Sequence, residues 1–444
     1  GTDTVQTALS AYTLRLHVEN LTFTGVGDFI GTGTEQDNLI TGGVGNDTLS
    51  GLGGSDILAG GAGADVLNGG DGFDTADYTT SAVGVTVSLR TGTGSGGDAA
   101  GDTLAGIEAL VGSGFDDILA GGIGNNTLNG GGGIDTVDYG AAAAGVTVRL
   151  NTGVANNDGD GGADTLSSVE NVIGSAFNDT LIGDAGANVL NGGLGTDTLI
   201  GLAGDDVLIG GAGATNALQG GLGNDRYVVS VAGDTLIEFA GEGIDTVETT
   251  LSSYTLREHF ENLTFTGAGA FIGTGNGAAN TLTGAAANDV LIGRGGNDLL
   301  VGGAGIDTAS YVHAAAGVRA QLNTNRALDD GEGGTDTFSS IENLTGSAFN
   351  DTLIGDAAAN VLSGGDGSDV LIGLAGDDVL IGGAGPNTLQ GGLGNDRYMV
   401  SVAGDTLTEF AGEGIDTVET TLSTFTLKDH FENLTYTGAG AFNG

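Results

Sequence analysis

Residues Gly42 to Asp74 read GGVGNDTLS, GLGGSDILA, GGAGADVLN, GGDGFD, a text written in nines. Asp47, Asp56, Asp65 and Asp74 fall at one position of the repeat, and Leu49, Leu58 and Leu67 stand two places later. A period of nine belongs neither to a helix nor to a simple strand. The first six residues of each nine are rich in glycine, which tolerates positive φ at little steric cost, and they end in an aspartate that can accept hydrogen bonds in a tight turn. These six read as a loop. The other three set one aliphatic side chain between small or polar neighbours, as in a very short strand with one residue pointing inward. Two nines, strand to loop to strand to loop, close one flattened turn of about eighteen residues, and successive turns stack roughly 4.8 Å apart.

Aspartates eighteen apart then become neighbours on one edge of the stack, Asp47 beside Asp65 and Asp56 beside Asp74. Like charges at that spacing repel unless a cation lies between them. Calcium fits, since it takes six to eight oxygens from carboxylates and from the backbone carbonyls that a glycine-rich loop exposes. Zinc or copper would want His or Cys, which these loops lack. GGVGND and GGAGAD resemble the nonapeptide of the RTX family, the calcium-binding parallel β-roll of secreted bacterial proteins. The resemblance implies an all-β fold, a right-handed parallel β-roll or β-solenoid with calcium ions between stacked glycine-rich loops, and export by a dedicated one-step secretion system.

Composition agrees with a narrow stack. Among 444 residues there are 91 glycines, one proline, no cysteine and no tryptophan. Such a chain cannot build a broad core but can pile leucines, valines and isoleucines into a thin one. Its 57 acidic residues against 10 basic ones give a net charge of −47. Nucleic acid and anionic membrane surfaces are thereby disfavoured as partners, and divalent cations favoured. No stretch is long and apolar enough to span a membrane, and no signal-peptide pattern opens the chain. Absence of cysteine fits an extracellular protein that uses metal in place of disulfides.

Several elements recur along the chain. The text of Gly1–Gly33 returns at Gly243–Gly275 and Gly414–Gly444, which suggests a piece of a longer tandem array or a natural repeat unit cut at that element. The expected organisation is connector coils over 1–33, a nonapeptide β-roll over 34–77, a wider solenoid block with a surface loop over 78–116 and a short roll over 117–137. A second wider block with an acidic loop follows at 138–178, then a roll over 179–225, connector coils over 226–275 and a roll over 276–309. A third wider block with an acidic loop at 310–350, a roll over 351–396 and connector coils over 397–444 complete it. In the first wider block Val83, Val85, Val87 and Leu89 alternate with smaller or polar residues, predicting a strand with one buried face. In the connector, Tyr227, Val229, Val231, Leu236, Phe239 and Val247 are expected to continue the stack with larger side chains.

The residues expected to hold calcium are Asp47, Asp56, Asp65, Asp74, Asp117, Asp135, Asp179, Asp197, Asp206, Asp225, Asp289, Asp298, Asp307, Asp351, Asp369, Asp378 and Asp396. Where an asparagine takes the place, as at Asn188 or Asn360, an oxygen remains but a charge is lost, so weaker binding is expected. Ala214 and Thr215 stand where a later copy has only Pro386, which predicts a bulge between Asp206 and Asp225. The acidic loops Asn156–Gly162 and Leu328–Gly334 resemble calcium loops but lack the distal glutamate of an EF-hand; they read as solvated, with an extra ion as the alternative. His17, His259 and His430 repeat in the connectors and read as packing or surface residues. Glu19, Glu170, Glu261, Glu342 and Glu432 read as a hydrogen-bonded ladder beside the core. GTGSGG at Gly92–Gly97 lacks the strand-turn-helix setting of a dinucleotide site.

No catalytic constellation is evident, so the expected function is structural: a calcium-stabilised rod of about twenty-five coils, on the order of 120 Å long. It would serve as an extracellular or cell-surface spacer, adhesin stalk, surface-layer or filament subunit, self-associating end to end or continuing into neighbouring repeats. The alternative is the noncatalytic calcium module of a secreted protease, lipase or alginate epimerase whose catalytic domain lies elsewhere. Folding should be coupled to the metal, with a disordered chain at low calcium.

Overall fold

A computed structural model describes residues 1–444. The chain winds about 24 turns of an all-β solenoid. Helical bonding is confined to three single 3-10 turns at Gly97–Ala99, Leu150–Thr152 and Leu322–Thr324. Two compact units divide it, Gly1–Ile237 and Glu238–Gly444.

In the first unit the nonapeptides form the two walls of the roll. Leu39–Val44, Ile57–Ala62 and Thr75–Asp77 pair in parallel on one wall, and Thr48–Gly54 pairs with Val66–Gly72 on the other. The register places Ile40 opposite Leu58 and Leu49 opposite Leu67, a step of eighteen residues on each wall. These four side chains are fully buried. One inward aliphatic residue per strand therefore builds a thin column, each worth about 1.5–3 kcal/mol of apolar burial.

The wider blocks differ from expectation. Thr86–Ser88 pairs in parallel with Ile118–Ala120, yet antiparallel with Thr93–Ser95, which itself runs antiparallel to Thr103–Ala105. The glycine-rich link is thus not only a surface loop: it inserts one reversed strand into an otherwise parallel wall. Val154–Asn157 does the same between Thr147–Arg149 and Asp164–Ser167. The first strand is also shorter than the alternation suggests. Val85 and Val87 are buried, but Val83 is 55% exposed because Ser81 is still turning, its N–H on Tyr78 O and its hydroxyl on Val83 O.

The second unit repeats these devices. Arg326–Asp329 is the reversed strand, between Arg319–Gln321 and Asp336–Ser339. Val370–Ala375, Thr388–Leu393 and Thr406–Thr408 stack on one wall, and Val379–Ile381, Arg397–Val400 and Thr417–Thr420 on the other. Connector turns are filled by aromatic rings, such as Phe265 stacked on Phe271 at 4.5 Å. Phe239 does not join them. It is 56% exposed, as is Phe410 at 57% in the copy, because the period of two that buries Leu407 next brings Glu409 inward.

Candidate metal centre

Each loop aspartate turns its carboxylate into the roll, and one oxygen is spent on the preceding turn. The N–H of Asp47 donates to Asp65 Oδ1 at 2.7 Å, and that of Asp56 to Asp74 Oδ1 at 2.8 Å. The same step links Asp117 to Asp135, Asp179 to Asp197, Asp289 to Asp307, Asp351 to Asp369 and Asp378 to Asp396. The bulged turn keeps the ladder: Asp206 N–H still reaches Asp225 Oδ1 at 2.8 Å over nineteen residues. Glutamates extend it. The N–H groups of Asp3, Asp135, Asp245, Asp307 and Asp416 donate to Glu19, Glu170, Glu261, Glu342 and Glu432, and that of Asp74 to Glu108.

The fate of the second oxygen divides the loops into two kinds. In closed loops, the residue four before the aspartate donates its own N–H to it. Ser113, Ser175 and Ser347 do so to Oδ2 of Asp117, Asp179 and Asp351 at 2.5–2.6 Å, each adding a hydroxyl bond to Oδ1, and Ala285 does so to Asp289 at 2.7 Å. Asn188 and Asn360 accept likewise from Asp184 and Asp356, at 2.8 Å. In open loops, the residue four before has positive φ, and its N–H points elsewhere. Gly61 (φ 91), Gly193 (φ 88) and Gly365 (φ 100) are examples, but so are Leu52 (φ 82), Leu202 (φ 88), Leu374 (φ 84) and Arg294 (φ 67). A left-handed backbone at a side chain as large as leucine costs about 1–2 kcal/mol.

Every open loop that ends in Asp47, Asp56, Asp65, Asp74, Asp135, Asp197, Asp206, Asp298, Asp307, Asp369, Asp378 or Asp396 leaves that residue's Oδ2 buried without a hydrogen-bond partner. A buried unpartnered carboxylate oxygen costs several kcal/mol unless a cation meets it. The glycine that begins each loop shapes the space around it. A Cβ on Gly42 would lie 2.2 Å from Asp47 Oδ2 and 2.5 Å from Gly60 O; on Gly373, 2.1 Å from Asp378 Oδ2 and 2.7 Å from Gly391 O. Carboxylate and carbonyl oxygens so face one glycine-lined cradle, an all-oxygen donor set that suits calcium.

Without a cation, burial and then neighbouring carboxylates push these acids up. Asp65 rises to about 7, with Asp102 and Asp47 adding to the effect of burial, and Asp298 to about 8, with Asp336 and Asp330 adding. The N–H bonds of the ladder oppose the rise but do not cancel it.

Three ladder members fall outside the nonapeptide period. The N–H groups of Asp65, Asn126 and Asp298 donate to Asp102, Asp164 and Asp336, at 2.7, 2.8 and 3.1 Å. Their Oδ2 atoms accept the hydroxyls of Tyr78, Tyr139 and Tyr311 at 3.0, 3.0 and 2.8 Å, a protein donor in the place of a cation. The acidic loops are solvated at Asn156, Asn157, Asp329 and Glu332, which are exposed, but not at their central aspartates. Asp158 and Asp330 are 2% and 0% exposed, and each Oδ1 collects two backbone N–H bonds from its own loop. His17, His259 and His430 are exposed, with φ near 70.

No curated protein matches the chain. The sequence profile of the RTX calcium-binding nonapeptide repeat matches residues 41–76, 102–141, 167–199, 192–227, 200–236, 274–309, 336–371, 345–380 and 372–407. These segments span the rolls, include Asp102 and Asp336 though not Asp164, cover more than half of the chain, and carry the property of binding Ca2+ with them. With its glycine cradles and stacked aspartates, the chain belongs to the RTX calcium-binding nonapeptide repeat family.

Proposed function

We propose that the chain is a noncatalytic extracellular spacer, whose open loops take calcium and whose closed loops do without it. RTX proteins are typically secreted, and an acidic, cysteine-free chain that completes its fold on meeting calcium outside the cell suits that route. The observation that carries the reading is the correspondence between a positive φ four residues before the aspartate and an unpartnered Oδ2. Left-handed leucines at Leu52, Leu202 and Leu374 are a strain that a self-contained turn would not keep. Bound calcium supplies positive charge to these oxygens and to the loop carbonyls. The chain's own part is to fix each Oδ1 on the previous turn, so that only Oδ2 is presented, and to keep the cradle free of Cβ atoms.

Binding free energy then becomes folding free energy. Circular dichroism and light scattering across a calcium titration, from chelator to about 10 mM with magnesium as control, test the reading. A calcium-specific gain of β signal is expected, and growth of scattering alongside it would point to end-to-end assembly. A full β signal in chelator, indifferent to calcium, would refute the proposal.

A further inference from the structure

We infer that Glu409 and Asp416, two acids outside the nonapeptide pattern, join Asp396 in one calcium site that seals the last turn of the final roll. This rests on the calcium reading of the open loops. Strand register shows how it arises. Leu374 pairs with Gly392, so Gly373 aligns with Gly391; Gln390 pairs with Thr408, so Gly391 aligns with Glu409. The position that elsewhere must be glycine, since a Cβ would run into an aspartate oxygen, is here a glutamate. Its side chain enters the roll and is 6% exposed.

One oxygen from each of the three acids lies within 4.8 Å of the others. Asp396 and Asp416 are each 1% exposed. Protein donors hold each acid from one side: Asp416 Oδ1 accepts the Asp396 N–H at 2.8 Å, while Glu409 Oε1 accepts the Tyr398 hydroxyl and the Gly391 N–H at 3.2 Å. Asp396 Oδ2 and Glu409 Oε2 are buried with no hydrogen-bond partner. The adjacent cation, Arg397, turns outward to Glu419 at 2.6 Å. Nothing in the protein neutralises the cluster.

An ordinary open loop has one such unpartnered oxygen, and this one has two. Oxygen-only ligands select a hard cation, and affinity rises with the number of carboxylates in the site. The ion would tie together the Asp396 loop, the end of Thr406–Thr408 and the start of Thr417–Thr420, pinning the point at which the nonapeptide roll gives way to the connector. Retention at free calcium about tenfold lower than an ordinary loop needs is expected.

Two measurements on the full chain decide it. In crystals grown with calcium, long-wavelength anomalous scattering should show a peak among the three carboxylates as well as at the open loops. Peaks at the loops and none here would overturn this inference alone; no peak at any loop would overturn the calcium reading beneath it. Elemental analysis of Glu409→Gln, after dialysis at low free calcium, should find one ion fewer per chain, with wild-type circular dichroism at saturating calcium. An unchanged count would refute the site, and if the variant fails to fold, the wild-type anomalous map decides alone.

Discussion

Replacing Gly365 by serine should switch a single loop from open to closed. Gly365 has φ 100, and a Cβ there would lie 2.2 Å from the backbone oxygen of Ser347. The left-handed form costs a serine about 1–2 kcal/mol before that contact is counted. The loop one turn earlier shows where the chain can go instead: Ser347 N–H bonds Asp351 Oδ2 at 2.6 Å, and its hydroxyl bonds Oδ1 at 2.8 Å. A hydrogen bond to a charged acceptor contributes about 1.5–3 kcal/mol. Together the relieved strain and the new bond favour the closed form by roughly 3 kcal/mol, or about a hundredfold in calcium affinity at this loop. Elemental analysis after gel filtration at low free calcium should find one ion fewer per chain for Gly365→Ser. The circular dichroism at saturating calcium should match wild type, because Asp369 keeps its ladder bond to the Asp351 N–H. An unchanged ion count would refute the switch, and so would loss of every ion at once.

Three further outcomes follow from the same geometry. Tyr311→Phe strips the hydroxyl from Asp336 Oδ2, inside a fully buried pair, and should cost about 1–3 kcal/mol in urea unfolding at saturating calcium; a change within 0.3 kcal/mol, the scatter of about a few tenths usual for neutral changes, would show that water or an ion takes its place. Leu374→Gly should be close to neutral, because relief of the left-handed strain offsets the greater freedom of glycine in the unfolded chain, whereas the β-branched Leu374→Ile should lose about 1 kcal/mol or more; equal stabilities for the two variants would remove the strain from the account. In chelator, acid should stand in for calcium. Folded-state values raised to about 6 at Asp197 and Asp369 and about 7 at Asp65, Asp206 and Asp378, against an unfolded value near 4, mean that the folded chain binds the extra protons. Stability is then greatest below about pH 4 and is lost as pH rises through about 4 to 7. The β signal in chelator should grow on going from about pH 8 to about 5, and the calcium midpoint should rise over the same interval; a signal that falls on acidification contradicts the sign.

The period, the walls and the inward leucines were legible because they depend on spacing alone. Ile40 over Leu58 and Leu49 over Leu67 follow from nine-residue text folded twice per turn. Which aspartates keep an unpartnered oxygen was not legible, since that is set by one backbone torsion that residue type does not announce. Gly122 belongs to a closed loop and donates its N–H to Asn126, whereas Leu52 and Arg294 take the left-handed form against their own preference. Asp102, Asp164 and Asp336 escaped because excursions of 37 or 38 residues separate them from Asp65, Asn126 and Asp298 below. A signal existed: each precedes Thr-Leu or Thr-Phe, as Asp47 precedes Thr48-Leu49. Glu409 was hidden by its neighbour, since Phe410 looks like the core residue until the period of two is counted from Leu407.

Closed and open loops are not mixed at random along the chain, and their order predicts where folding begins. Each later roll starts with two closed loops, Asp117 with Asn126, Asp179 with Asn188, Asn280 with Asp289, and Asp351 with Asn360, and the open loops follow. The first turns of a roll thus have their carboxylates satisfied by their own backbone, and only later turns carry oxygens that wait for a cation. Local stability in chelator should follow that division. Hydrogen exchange of the full chain, read by mass spectrometry, should show residual protection in peptides covering Ser113–Asn126, Ser175–Asn188 and Ser347–Asn360. Peptides around Asp197–Asp206 and Asp369–Asp378 should exchange about a hundredfold faster, given one to two charge-assisted bonds at about 1.5 kcal/mol or more each. Added calcium should extend protection from the closed pairs toward the end of each roll, because an open turn gains a template only when the turn before it is formed. Uniform exchange in chelator, or protection that appears first at the open loops, would mean that the ions and not the closed turns nucleate the roll.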